Sequence, residues 1–204
     1  MLKKIKRIPG ALVRRVKIIK EKMNGLDFTK SHNLEELGLP EDIAKLYAPS
    51  LKYDLNKVLK QLDIQPTDAI LDYGSGKGSA MVIMSEFNFR LIGGVELSKQ
   101  LADISKKNMS LLKLNNIEIF NCNASDFKEM DNYNHFYFFN PFPGSVLQDV
   151  LENIAESCQK NPRKVTLIYY CPRHRDVIDN HPFFKESGGF KGKYWEMLLY
   201  SNLS

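Results

Sequence analysis

Apolar and polar residues alternate in blocks along most of this chain. Short, mostly apolar runs recur at Ala69 to Leu71, Leu91 to Val95, Ile117 to Phe120, Phe136 to Phe139 and Lys164 to Tyr170. Their length and their Val, Ile and aromatic content predict buried strands. Between them lie stretches with helical spacing. Ser79 to Phe87 is one. Ser98 to Leu114 has apolar residues at 101, 104, 109, 111, 112 and 114, and Val146 to Cys158 has them at 146, 147, 150, 151, 154 and 155. Strand and helix in alternation predict an α/β fold whose parallel sheet is covered on both faces.

The ends of the chain extend this pattern. A short helix is predicted near Arg173 to Asn180, followed by strands at Phe183 to Glu186 and Tyr194 to Tyr200 joined across Ser187-Gly188-Gly189. Upstream, Pro40 to Leu46 and Lys52 to Leu62 are predicted helices around Tyr47-Ala48-Pro49-Ser50, where Pro49 breaks the helix.

The chemistry gathers where predicted strands end. After Ala69-Ile70-Leu71 comes Asp72-Tyr73-Gly74-Ser75-Gly76-Lys77-Gly78, and a helix follows at once. Strand, glycine turn and helix build a nucleotide site at the carboxyl end of a sheet. Glycine permits φ > 0 and lets a ligand approach with no Cβ in the way. The dinucleotide pattern G-x-G-x-x-G fails because position 79 is serine. The phosphate loop G-x-x-x-x-G-K-[ST] fails at Leu71 and Gly78. The pattern D-x-G-x-G-x-G fits throughout. Taken alone, the loop is equally well a tight turn.

A second predicted strand ends in Glu96, 18 residues after Gly78. A carboxylate at about this distance past a glycine loop binds both hydroxyls of a ribose; as a plain alternative, Glu96 is a charge at the start of the next helix. The third strand leads into Asn121-Cys122-Asn123-Ala124-Ser125-Asp126, and the fourth into Asn140-Pro141-Phe142-Pro143-Gly144. Both segments also suit ordinary turns.

In these motifs the chain resembles the class I S-adenosylmethionine-dependent methyltransferases. With Tyr47-Ala48-Pro49-Ser50, the GSGKG loop, Gly94-Val95-Glu96-Leu97-Ser98 and Asn140-Pro141-Phe142, it is similar to a loosely characterised group of small bacterial enzymes, over roughly residues 40–200. The resemblance implies a Rossmann-like, mostly parallel seven-stranded sheet with helices on both faces and an antiparallel last strand. It implies S-adenosylmethionine as cofactor and S-adenosylhomocysteine as product.

The resemblance also implies roles. Asp72, Gly74, Ser75, Gly76 and Gly78 surround the methionine end of the cofactor; Glu96, with Leu97, holds the ribose. Asn123 and Ala124 stand near the adenine, where the family has an Asp-Ala pair and the Asn carbonyl still accepts a hydrogen bond. Tyr47, on a segment that lids the cofactor, either contacts it or is a buried tyrosine of a helical hairpin. Asn140, Pro141 and Phe142 face the acceptor and Asn140 also borders the cofactor. One proline of the amino-methyltransferase pattern [NDS]-P-P-[YFW] is missing here, so an amino acceptor is favoured without excluding oxygen. The acceptor itself is not identified. A non-catalytic cofactor-binding or scaffold protein of the same fold is the alternative, and an NAD-dependent enzyme comes third.

Composition changes two points. The 204 residues, 43% hydrophobic, fit a single folded unit. Within it we expect a basic segment at 1–24, a helical segment lidding the site at 25–66 and a methyltransferase core at 67–204. The net charge of +5 is uneven: residues 1–22 hold nine Lys and Arg against one Glu, so the remaining 182 residues carry −3. In the basic segment Leu12, Val13, Val16, Ile19 and Met23 form an apolar stripe. It packs on this same domain, or contacts an anionic membrane surface or a protein partner; nucleic acid is less favoured, for lack of interleaved aromatic residues. Cys122, Cys158 and Cys171 lack metal or redox spacing, and no signal peptide or membrane-spanning run is evident, so a cytoplasmic location is expected. No metal site is expected.

Overall fold

The structure is a computed structural model that describes residues 18–19, 21–30, 36–37, 52–192 and 194–202. Its described elements are α1 (Lys52–Leu59), β1 (Ala69–Tyr73), α2 (Ser79–Met84), β2 (Leu91–Glu96), α3 (Lys99–Leu111) and β3 (Ile117–Asn121). Then come β4 (His135–Phe139), α4 (Gly144–Lys160), β5 (Thr166–Tyr170), α5 (Arg175–Asp179), β6 (Phe184–Lys191) and β7 (Glu196–Asn202), with two 3₁₀ turns between β3 and β4. The strands form one seven-stranded sheet in the order β3-β2-β1-β4-β5-β7-β6. The pairs from β3 through β5 are parallel, and β7 runs antiparallel to both β5 and β6. The expected sheet, with its antiparallel last strand, is the one observed.

The alternation of side chains along each strand sorts the core into two layers. Ala69, Leu71 and Tyr73 face one side with Phe136, Phe138, Leu167 and Tyr169, where α4 supplies Leu147, Val150, Leu151 and Ile154. Ile70 faces the other side with Ile92, Tyr137, Ile168 and Tyr170, under α1 and α2. The spacing of 147, 150, 151, 154, 155 and 158 puts all six on the buried face of α4. Truncating Leu151, fully enclosed, to alanine costs about 2–5 kcal/mol of stability.

One predicted connection is wrong. Ser187-Gly188-Gly189 is not the hairpin turn: β6 runs straight through it, and the chain reverses between Gly192 and Trp195, where the Gly192 N–H donates to the Trp195 carbonyl at 2.8 Å. The glycines instead serve a bulge between Glu186 and Gly188. A Cβ on Gly189 would meet the Met197 carbonyl oxygen at 2.5 Å, so only glycine lets the strands stay paired there.

Upstream, residues 25–30 are not helical but form an irregular strap against α3 and the glycine loop. The predicted helix at Pro40 to Leu46, Tyr47, and most of the basic segment lie outside the described residues. Of its apolar stripe, the described Ile19 and Met23 are exposed rather than packed on the domain. Among the described residues no helix is long and apolar enough to cross a membrane.

Candidate functional site

The strand order reverses between β1 and β4, and in open α/β sheets ligands bind outside the carboxyl ends of the strands at that reversal. The chain marks this place with unusual backbone. Gly74, Gly76 and Gly78, after β1, have φ of 73°, 55° and 85°. Asn140, after β4, and Cys171, after β5, reach φ of 41° and 54° without being glycine. Left-handed residues at three neighbouring strand ends bend the chain away from the sheet. The two sides of the reversal touch, since a Cβ on Gly74 would collide with the Pro141 ring.

The glycine loop is fastened to β2. The Gly74 and Ser75 N–H groups both donate to the Val95 carbonyl, at 2.9 and 3.0 Å. Glu96 closes the loop from the next strand end: its Oε2 accepts from the Gly76 N–H at 2.8 Å and its Oε1 from the Ser98 N–H at 2.8 Å. Glu96 is thus both a loop clasp and a charge at the start of α3, whose first turn is capped by the Ser98 hydroxyl. Burial raises the Glu96 carboxyl above its ordinary range, against the three N–H groups of Ser98, Gly76 and Leu97 that lower it.

Asp72 is 3% exposed. Burial, then the negative charge of Glu96, push its carboxyl well above the usual carboxylate range. No side-chain hydrogen bond compensates it among the described residues. Two buried carboxylates at the mouth of one loop are a poor arrangement for an empty protein and a good one for a cation that carries a diol. That is the chemistry of a sulfonium or ammonium beside a ribose.

Asn140 presents the second polar singularity. Its Oδ1 is buried and has no hydrogen-bond partner. A buried carbonyl without a donor costs about 1–3 kcal/mol, and such groups are rare in folded proteins. Pro141 is half-buried beside Gly74. Phe142, expected to face the acceptor, is buried, edge-on to Tyr73 and Phe138 with ring centroids 6.3 Å apart in each pair. The reason is local: the turn ends at Pro143 and α4 starts at Gly144, which points the ring down into the core.

Asn123 caps the turn Ala124–Asp126, its Oδ1 accepting from the Ser125 N–H at 3.3 Å, while Ala124 is buried in the core and Leu97 is half-buried. Ser75 is buried within the glycine loop, its hydroxyl without a partner.

Beyond Asn140, side chains distant in sequence form an aromatic wall. Phe139 lies 4.8 Å from Tyr170 and 5.4 Å from Trp195, ring to ring, and Tyr194 continues the row at 6.1 Å from Trp195. The Tyr170 hydroxyl donates to Asp54 Oδ2 at 2.6 Å, which joins α1 to the wall. An open cleft of about 510 Å³ lies alongside, lined by Tyr53, Asp54, Lys57, Lys191 and Gly192. No local motif carries this wall, and sequence reading missed it.

The second omission is Lys77. Its side chain is fully enclosed, and its ammonium pairs with Asp27 at 2.7 Å and donates to the Lys30 carbonyl at 2.9 Å. The signal was present on α3, where Ser105 and Asn108, both polar, share the buried face with Leu101 and Met109.

Residues 44–139 match the family described as histone methylation protein DOT1. The histone-lysine N-methyltransferase, H3 lysine-79 specific, of Dictyostelium discoideum is 28% identical over 127 residues, which cover 55% of this chain and 7% of that protein. Among solved structures, an RNA methyltransferase from Salinibacter ruber in complex with S-adenosylhomocysteine superimposes with a TM-score of 0.57 at 13% identity, covering 76% of this chain and 94% of that one. A methyltransferase from Aquifex aeolicus gives 0.57 at 14% identity, covering 74% and 90%. The fold is that of the S-adenosylmethionine-dependent methyltransferases. S-adenosylmethionine is the cofactor that goes with this fold, and the residues fit it: Asp72 and Glu96 offer buried negative charge and acceptors, and the glycines offer backbone without Cβ atoms. Among the described residues no cluster of His, Cys, Asp and Glu suits a metal ion.

Proposed function

We propose that this chain is an S-adenosylmethionine-dependent methyltransferase that acts on an amino nitrogen. One observation carries the acceptor class: the buried, unpartnered Asn140 Oδ1 at the end of β4. It stands next to Pro141, which touches the cofactor loop at Gly74. A carbonyl oxygen is an acceptor only, so it suits a substrate atom that bears hydrogen; an amine offers that hydrogen while keeping its lone pair for attack, as a hydroxyl also does, and the second donor hydrogen that a hydroxyl lacks leaves the amine favoured. The lysine specificity of the Dictyostelium relative supports the same class.

When bound, S-adenosylmethionine supplies a methyl group activated by positive sulfur, and its transfer leaves a neutral thioether. The chain's part is alignment. Asp72 balances the positive charge, with the methionine end held against Gly74, Ser75, Gly76 and Gly78. Glu96 and Leu97 take the ribose, and Asn123 and Ala124 border the adenine. Asn140 orients the amine N–H, and the aromatic wall of Phe139, Tyr170 and Trp195 keeps water from the nucleophile. Holding the reacting atoms about 3–3.5 Å apart in line supplies most of what such a displacement needs. Phe142 supports Asn140 from beneath rather than meeting the acceptor.

The three cysteines without metal or redox spacing support a reducing, cytoplasmic setting, and the exposed Ile19 and Met23 support contact of the basic 1–22 segment with an anionic surface or a partner.

Methyl-labelled cofactor offered with lysine-rich protein, polyamines, RNA, lipid and saccharide fractions tests the reading. Label on amino nitrogen, lost with Asn140→Ala, is expected. Transfer to oxygen alone would overturn the acceptor class, and cofactor binding without any transfer would make the chain a non-catalytic binder.

A further inference from the structure

Lys77, between Gly76 and Gly78 of the glycine loop, turns its side chain to the strap at residues 25–30. Lys77 has no exposed surface, yet it bears a charge. Burial lowers the pKa of its ammonium, while its bond and charge contact with Asp27 raise it. Asp27 belongs to the strap at residues 25–30, and both of its backbone polar groups are gripped by Asn108. The Asp27 N–H donates to Asn108 Oδ1 at 3.0 Å, and the Asp27 carbonyl accepts from Asn108 Nδ2 at 3.0 Å. The same Asn108 Nδ2 donates to the Lys77 carbonyl at 3.1 Å. Glu21 shapes the strap from its own side, its carboxylate accepting from the Phe28 and Thr29 N–H groups at 3.1 and 2.9 Å.

We propose that Lys77 is a positioning residue: with Asp27 and Asn108 it latches the 25–30 strap to the cofactor loop, so that cofactor affinity and strap docking rise and fall together. The inference rests on the methyltransferase reading for the identity of the cofactor. The physical reason is the position of Lys77 between Gly76 and Gly78. Gly76 donates to Glu96. If the strap leaves, a buried ammonium loses its counter-charge, a strongly unfavourable state. Lys77 then turns outward to water. Its neighbours are glycines, with no side chains to resist the rotation, and the Gly76 N–H leaves Glu96. The loop loses its binding shape although no cofactor contact has been changed. By linkage the effect is reciprocal: cofactor that holds the loop also holds the strap.

The full chain is used, with Asp27→Asn, Lys77→Met, Lys77→Arg and the double variant Asp27→Asn/Lys77→Met. Two quantities are read: S-adenosylmethionine affinity by calorimetry, and the rate of trypsin cleavage within residues 22–30 with and without cofactor. We expect each single loss to weaken binding about tenfold and speed cleavage, the double variant to be no weaker than the single ones, and Lys77→Arg to recover part of the affinity. Cofactor should slow strap cleavage in the wild type, and kcat at saturating cofactor should be unchanged in Asp27→Asn. Faster strap cleavage with unchanged affinity, or strap cleavage indifferent to bound cofactor, would overturn the latch. If Lys77→Met does not fold, Asp27→Asn, whose side chain is one-third exposed, decides alone. Failure of the wild type to bind cofactor would instead refute the methyltransferase reading; the cleavage rates of the variants without cofactor would still test whether Lys77 holds the strap.

Discussion

Two aspartates flank the same strand and meet opposite fates. Asp68, just before β1, is surrounded by donors. The Gln65 N–H reaches its Oδ2 at 2.8 Å, Asn134 Nδ2 its Oδ1 at 2.7 Å, and His135 Nε2 lies 3.3 Å away. Burial works to raise its pKa, but these hydrogen bonds outweigh it and the carboxyl sits below its ordinary range. Asp72, four residues on, is more deeply buried, lacks such donors and faces Glu96, and its carboxyl is held well above that range. Asp68 is satisfied as a structural carboxylate; Asp72 is not. At the carboxyl edge Asp72 is joined by φ > 0 at Asn140 and Cys171 and by the unpartnered Asn140 carbonyl and Ser75 hydroxyl. Unsatisfied groups in a native fold mark the place where a ligand completes them.

The comparison breaks first at Asp72. Asp72→Asn is expected to weaken S-adenosylmethionine binding about 100-fold, near 2.7 kcal/mol, by calorimetry, while raising the thermal midpoint of the cofactor-free protein. The signs follow from linkage. A carboxyl whose folded pKa lies above its unfolded value contributes stability that is complete below the unfolded pKa and is lost as pH rises through the folded one. At neutral pH the empty site is therefore destabilising, and asparagine relieves it. In the wild type, cofactor affinity should fall as pH drops into the raised range of Asp72 and Glu96, and binding there should release protons, seen as a buffer-dependent heat. A lowered midpoint for Asp72→Asn would mean that Asp72 is structural, like Asp68.

Asn140→Ala comes next. Removing the orienting carbonyl should lower kcat about 10- to 100-fold, the equivalent of 1.4–2.7 kcal/mol, with cofactor affinity changed less than threefold on the order of one RT; equal losses in both would place Asn140 on the cofactor instead. Asp68→Asn has the smallest expected effect. It should cost about 1–2 kcal/mol of stability in urea unfolding and leave cofactor affinity untouched. Since the folded pKa of Asp68 is lowered, its contribution is present above the unfolded carboxylate range and lost as pH falls through the folded value, the reverse of Asp72.

Much of the carboxyl edge was legible because its signals are local. β2 appears at Leu91–Glu96 as the apolar run predicts, and Asp72, the glycines and Glu96 stand at strand ends because chain order alone puts them there. What escaped was non-local or ambiguous. Glycine ordinarily marks turns, yet Gly188 and Gly189 accommodate a bulge forced by β7. A lysine in a glycine loop reads as solvent-facing, and only the strap at 25–30 makes it a buried cation. Phe139, Tyr170, Trp195 and Asp54 come from four separate segments, and only sheet order brings them to one wall. Phe142 was misplaced because the sequence gives no direction for a ring between two prolines.

The central claim is that Asp72 and Glu96 are held ready for a cationic cofactor. Calorimetric titration of S-adenosylmethionine into the wild-type chain and into Asp72→Asn, in two buffers of different ionisation heat at mildly acidic pH, tests it most directly. The account predicts saturable one-to-one binding with proton release in the wild type, and weaker binding with less proton release in the variant. Absence of binding to the wild type at millimolar cofactor, or equal affinity and equal proton release in both proteins, would contradict it.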